Sequence, residues 1–158
     1  MQGKPVQGSI GPVRNGGVMV AGTGNKPDLT GLKVLLVDDH RDSADSMAWL
    51  LQSFGCEAQA RFDGTSALAC VEALEPDVVF LDIRLPDMPG TEVCRRMRSL
   101  AALDATTLVA LTGATDDRTL VSVEEAGFDR TLTKPVELDD ILEVLCGAAA
   151  TKGQRNRR

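Results

Sequence analysis

From Leu32 onward the chain alternates between short runs that are apolar throughout and longer stretches with apolar residues every three or four positions. Residues 32–38 form a continuous apolar run ending in acids, the pattern of a strand buried on both faces. In residues 41–54, Ala44, Met47, Ala48 and Leu51 share one helical stripe, and Gly55 stops it. Residues 57–62 alternate polar and apolar as a weaker strand, and residues 64–74 carry Ala67, Cys70, Val71 and Leu74 on one helical face. Pro76 ends that stretch. Residues 77–82 (DVVFLD) read as a second fully buried strand, and a loop with Pro86, Pro89 and Gly90 leads into a helix over 91–100. Residues 106–111 (TTLVAL) form another buried strand, followed by a helix with a poor stripe over 116–126, closed by Gly127. A short strand over 129–133, Pro135 and a helix over 137–146 with Leu138, Ile141, Leu142 and Leu145 aligned complete the pattern.

Five strand–helix units in strict alternation predict an α/β domain, a parallel sheet with helices on both faces. Central strands must be apolar on both sides and edge strands need not be. The partly polar second and fifth strands (EAQARF and DRTLT) therefore belong at the edges. That ranking fits a flavodoxin-like (βα)5 sheet of order 2-1-3-4-5, with its functional crevice at the carboxyl ends of strands 1 and 3. The expected domain spans 32–147. Residues 1–31 hold eight glycines and three prolines without periodicity and read as a flexible leader. Within it, 22–26 (GTGNK) matches no nucleotide-binding fingerprint. Residues 148–158 read as a basic, disordered tail.

Composition narrows the functional classes. The net charge is −6, yet residues 151–158 carry Lys152, Arg155, Arg157 and Arg158 with no acid, and the leader is also basic, so the body is strongly acidic. An acidic body argues against binding a phosphate backbone. No apolar run is long enough to span a membrane and none resembles a secretion signal, which suggests a cytoplasmic protein. Cys56, Cys70, Cys94 and Cys146 form no CxxC pair and read as small core residues rather than zinc ligands. Trp49 reads as partly buried packing, and His40 as a loop residue at a strand end.

The chemistry gathers at the strand ends. Strand 1 ends in Asp38-Asp39 and strand 3 in Asp82, strand 4 runs into Thr112, and strand 5 into Lys134-Pro135. Three carboxylates, a hydroxyl and an ammonium thus meet on one edge of the sheet. The carboxylates repel one another, and hard oxygen ligands in an open site suit Mg²⁺.

These residues carry a resemblance. VLLVDDH (34–40), DVVFLDIRLPDMPG (77–90), ALTG (110–113) and TLTKP (131–135) are similar, in order and spacing, to the receiver (CheY-like) domains of two-component response regulators. The resemblance covers about three-quarters of the chain. It implies that Asp82 is the phosphoacceptor, that Asp38, Asp39, Asp82 and the Arg84 carbonyl hold Mg²⁺, that Thr112 is a switch hydroxyl, and that Lys134 pairs with phosphoryl oxygens. It also implies a cis Lys134–Pro135 bond. Thr131 departs from the family, which often has an aromatic residue there, and Arg84 and Ala114 occupy positions that tune phosphate lifetime.

The implied function is that of a response regulator accepting a phosphoryl group from a histidine kinase or histidine phosphotransfer protein and acting on a downstream protein target in a phosphorelay. GFDRTLTKPVELDDIL and HRDSADSMAWLL further resemble receivers of hybrid histidine kinases. The expected molecule is a single-domain signalling protein rather than an enzyme, without a DNA-binding domain or a membrane partner, and capable of phosphorylation-dependent dimerisation. Two rivals are a phosphorylation-independent pseudo-receiver and a haloacid dehalogenase-type phosphohydrolase. The latter needs an acid two residues after the nucleophile, where this chain has Arg84. A flavin-binding reading fails because no phosphate-cradling loop follows strand 1.

Overall fold

A computed structural model describes residues 26–113 and 116–157 of the protein; the sequence expectations for residues 1–25, including most of 22–26, and for Ala114 lie outside them. The elements alternate as expected: β1 (Lys33–Val37), α1 (Arg41–Gln52), β2 (Glu57–Arg61), α2 (Gly64–Leu74), β3 (Val78–Asp82), α3 (Gly90–Arg98), β4 (Thr107–Thr112), α4 (Asp117–Ala126), β5 (Arg130–Thr133) and α5 (Leu138–Asn156). A 3-10 turn, Ala101–Leu103, precedes β4. The five strands pair in parallel throughout, in the order β2-β1-β3-β4-β5.

The two-residue period of the strands divides the core into two layers. Val34 and Leu36 of β1, Phe80 of β3 and Val109 of β4 face one side, where Ala48 and Leu51 of α1 and Ile141, Leu142 and Leu145 of α5 cover them. Leu35, Val37, Val79, Leu81 and Leu108 face the other side, against Val71 of α2, Val93 and Met97 of α3, and Ala126 of α4. This two-sided burial is why β1, β3 and β4 are apolar except at their ends. Edge strand β5 is largely exposed, which permits its polar residues. Of α4 only Val123 and Ala126 are buried, in keeping with its weak stripe. Gly55 and Gly127 take positive φ values of 97° and 107° where α1 and α4 give way to the next strand, a conformation that costs glycine nothing. Among the described residues, no helix is long and apolar enough to cross a membrane.

Three expectations need correction. First, packing begins before Leu32: Leu29 is 2% exposed and its N–H donates to the Phe54 carbonyl at 3.0 Å. Second, the segment expected as a disordered tail is helical, because α5 continues to Asn156. Lys152 ties this extension down, donating to Asp77 Oδ2 and to the Gly31 carbonyl, each at 2.9 Å. Third, Trp49 is 71% exposed rather than partly buried, since it lies one residue out of phase with Ala44, Ala48 and Leu51. Of the cysteines, Cys56 and Cys94 are buried as expected, and burial pushes both thiols up to about 11; Cys70 and Cys146 are half-buried.

The Lys152 contacts carry a prediction. Lys152→Ala removes the ammonium partner of the half-buried Asp77 carboxylate, leaving it the Lys33 N–H, and should lower the unfolding free energy by about 1–2 kcal/mol. Urea unfolding measures this, and an unchanged midpoint would show that the end of α5 contributes no stability.

Candidate functional site

The parallel sheet gathers the predicted site residues because β1, β3, β4 and β5 end on the same edge. Asp38 follows β1 directly, and its N–H donates to the Arg61 carbonyl of β2 at 3.0 Å. Asp82 is the last residue of β3 and lies opposite Leu111. Thr112 ends β4 opposite Thr133 of β5. Its carbonyl accepts from the Lys134 N–H at 2.8 Å, which fixes where the lysine leaves the sheet. The Lys134–Pro135 bond is cis, as the resemblance implied.

The centre of the site is an ion triad. Lys134 Nζ lies 2.6 Å from Asp82 Oδ2 and 3.3 Å from Asp38 Oδ2. The Asp82 side chain is only 7% exposed, and its other oxygen accepts the Arg84 N–H at 2.9 Å. Burial pushes the Asp82 carboxyl above the ordinary carboxylate range; hydrogen bonds from Lys134 and Arg84 oppose this, and the Asp38 charge adds to it. At Asp38, burial is outweighed by the His40 N–H and by Lys134, so that carboxyl lies below the usual range. Burial likewise disfavours charge on Lys134, but its bond to Asp82 and the two nearby carboxylates prevail and raise it. Lys134 therefore keeps its charge, between two carboxyls that are pushed in opposite directions.

Asp39 is more open, and His40 precedes the first turn of α1 with its side chain 74% exposed. His40 Nδ1 lies 3.3 Å from Asp38 Oδ1 and 3.4 Å from Asp39 Oδ1. Ligand atoms of Asp38, Asp39 and His40 lie within 4.8 Å of one another. His40, expected only as a loop residue, belongs to the rim of the site. Three carboxylates against one ammonium leave a negative, oxygen-rich pocket. That donor set fits a hard divalent cation such as Mg²⁺.

Thr112 is 4% exposed at the end of β4, one residue beyond Leu111, which lies opposite Asp82, and itself opposite Thr133, which precedes Lys134. Thr131, at the position where the family often has an aromatic residue, is exposed on β5 opposite Ala110. Arg84 pairs with Pro89 in an isolated bridge that shapes the loop after β3.

Sequence reasoning did not assign a role to Asp87, which anchors that loop. Its oxygens accept from Gly64 N–H at 2.9 Å, Thr65 N–H at 2.8 Å and the Thr65 hydroxyl at 2.6 Å, stitching the loop to the start of α2. The hydroxyl contact above all, with the Gly64 N–H next, lowers the carboxyl to about 2. Because the folded value is depressed, the stabilisation is complete above the unfolded value of about 4 and is lost as pH falls through about 2. A carboxyl NMR titration should place the Asp87 midpoint near 2. Titration at an ordinary Asp value would show that the loop is not held this way.

A strand-end cluster of three acids, a threonine and a lysine on a sheet of order 2-1-3-4-5 defines a receiver-type α/β domain. The family model for the response regulator receiver domain matches residues 34–146, and the chain belongs to that family. Two curated relatives are the sensory transduction protein RegX3 of Mycolicibacterium smegmatis and the DNA-binding response regulator MtrA of Mycolicibacterium paratuberculosis. RegX3 is 40% identical over 83 residues, covering 52% of this chain and 36% of its own length. MtrA is 37% identical over 84 residues, covering 53% and 37%. The chain thus spans little more than a third of the length of these relatives. Among solved structures, a CheY-like response regulator receiver domain protein from Methanospirillum hungatei JF-1 superposes with a TM-score of 0.72 at 27% identity, covering 80% of this chain and 99% of that one. As a response regulator receiver domain, the protein is a component of two-component signalling.

Proposed function

We propose that this receiver accepts a phosphoryl group onto Asp82 from a phosphohistidine, carried by a histidine kinase or a histidine phosphotransfer protein, and passes the signal on through protein–protein contacts. The observation that carries this reading is the buried Asp82 carboxylate, 2.6 Å from Lys134, at the open carboxyl edge of the sheet beside Asp38 and Asp39.

In the transfer, an Asp82 oxygen forms a bond to phosphorus while the phosphorus–nitrogen bond of the donor breaks; the imidazole nitrogen keeps the electron pair and takes up a proton. Asp38, Asp39, Asp82 and the Arg84 carbonyl are the groups to hold Mg²⁺, which when bound supplies positive charge to the phosphoryl oxygens. Lys134 is already protonated and in place, so it can follow the oxygens as their charge develops. Thr112 then turns its hydroxyl towards the phosphoryl group, favouring the active form of the surface around α4 and β5. An exposed Thr131 in place of an aromatic residue leaves that surface without a large ring to bury.

Intact mass after incubation with acetyl phosphate tests this reading. A single phosphoryl adduct that requires Mg²⁺ is expected. No adduct from acetyl phosphate or from a phosphorylated histidine phosphotransfer protein would overturn it in favour of a phosphorylation-independent scaffold.

A further inference from the structure

The opposite, amino-terminal edge of the sheet carries a second feature, remote from Asp82. A cleft of about 280 Å³ opens there between the first residues of β4 and β5 and the far half of α5. Its origin is visible in α5. Ile141, Leu142, Val144 and Leu145 fill the core, but the next turn offers only Gly147 and Ala148, whose small size leaves space under the helix. A Cβ placed on Gly147 meets nothing within 4 Å.

The polar lining is biased in charge. Arg130 lines it from β5 and Arg155 from the last turns of α5, together with Thr107 and Thr151. Asp77 also lines the cleft, but its Oδ2 already accepts from Lys152 Nζ and from the Lys33 N–H, each at 2.9 Å. Arg155 approaches its Oδ1 only at 3.9 Å. Arg130 meets Glu143 at 3.5 Å in a surface pair with both side chains more than 40% exposed, a contact that holds a guanidinium weakly. With Asp77 neutralised by Lys152, two guanidinium groups dominate the cleft, on a body that is otherwise strongly acidic.

We propose that this cleft is a binding site for a small oxyanion, a phosphate- or carboxylate-bearing molecule gripped by Arg130 and Arg155. The planar guanidinium fork matches both oxyanions. Val144 and Ala105 add an apolar wall for a short carbon skeleton, and the volume lies at the small end of ligand cavities.

The test is a backbone-amide NMR titration of the full chain with inorganic phosphate and, separately, with malonate, at constant ionic strength and without divalent metal. Saturable shifts are expected at Thr107, Arg130, Gly147, Thr151 and Arg155, with the signals of Asp39 and Ile83 unmoved. Saturation by phosphate alone assigns a phosphate ligand, by malonate alone a carboxylate ligand. Arg130→Gln and Arg155→Gln should each weaken binding about tenfold. Gly147→Leu, which keeps the helix and fills the cleft, should abolish it. Linear, unsaturated drift with both anions would overturn the proposal, as would saturable binding that survives Gly147→Leu unchanged.

Discussion

Asp82→Asn will give a folded protein that accepts no phosphoryl group. The amide keeps the shape of the side chain and an oxygen for the Arg84 N–H, and Lys134 retains Asp38 as a partner. Burial and the neighbouring Asp38 charge both disfavour a charge at position 82, so the neutral amide should cost the fold little. Chemistry is lost completely because an amide has no anionic oxygen to attack phosphorus. Lys134→Ala should be milder, slowing phosphorylation by about 10²–10³-fold, the usual cost of removing one preorganised donor to a developing charge. Rates of adduct formation from acetyl phosphate measure both. An Asp82→Asn protein that is phosphorylated at the wild-type rate would mean that another residue is the acceptor.

Gly90→Ala will be the most damaging small substitution near the site. Gly90 opens α3 pressed against the end of β3: its N–H donates to the Ile83 carbonyl at 2.7 Å, and an added Cβ would collide with the Asp82 carbonyl oxygen and lie 2.8 Å from Ile83 Cα. Both obstacles are backbone, so relief requires moving α3 or the strand end that carries Asp82. A destabilisation of about 3 kcal/mol is expected, at the upper end for overpacking. Phosphorylation should slow as Asp82 shifts relative to Lys134. Gly147→Ala is the internal contrast: it meets nothing, and should stabilise α5 by up to about 1 kcal/mol through helix propensity. Urea unfolding of the two variants measures both effects. Wild-type stability in Gly90→Ala would show that α3 is not seated tightly on Asp82.

Much of this molecule was legible because burial leaves a plain mark on a strand. β1, β3 and β4 lie between two helical layers and are apolar everywhere but at their ends, so their runs declared both their presence and their central place. Once the order 2-1-3-4-5 follows, the ends of β1, β3, β4 and β5 share one edge, and there Lys134 meets Asp38 and Asp82, while Thr112 ends β4. What the sequence hid depends on contacts distant along the chain. The second half of α5 has small residues where a stripe should be, and it is held by Lys152 reaching Asp77, 75 positions away. The loop anchor at Asp87 depends on Gly64 and Thr65, and the burial of Leu29 depends on Phe54. Trp49 misled for a simpler reason: a large aromatic suggests a core, but its place on the helix decides, and it faces outward.

The identity of the phosphoacceptor can be read directly. The wild-type chain is incubated with acetyl phosphate and Mg²⁺ and then treated with borohydride, which reduces an acyl phosphate to the alcohol and so converts an aspartyl phosphate into homoserine. Peptide mass mapping then locates the reduced residue. The site geometry predicts homoserine at position 82 and at no other acid. Homoserine at position 38, 39 or 87 instead, or a phosphoryl group that resists borohydride and maps to His40, would contradict it.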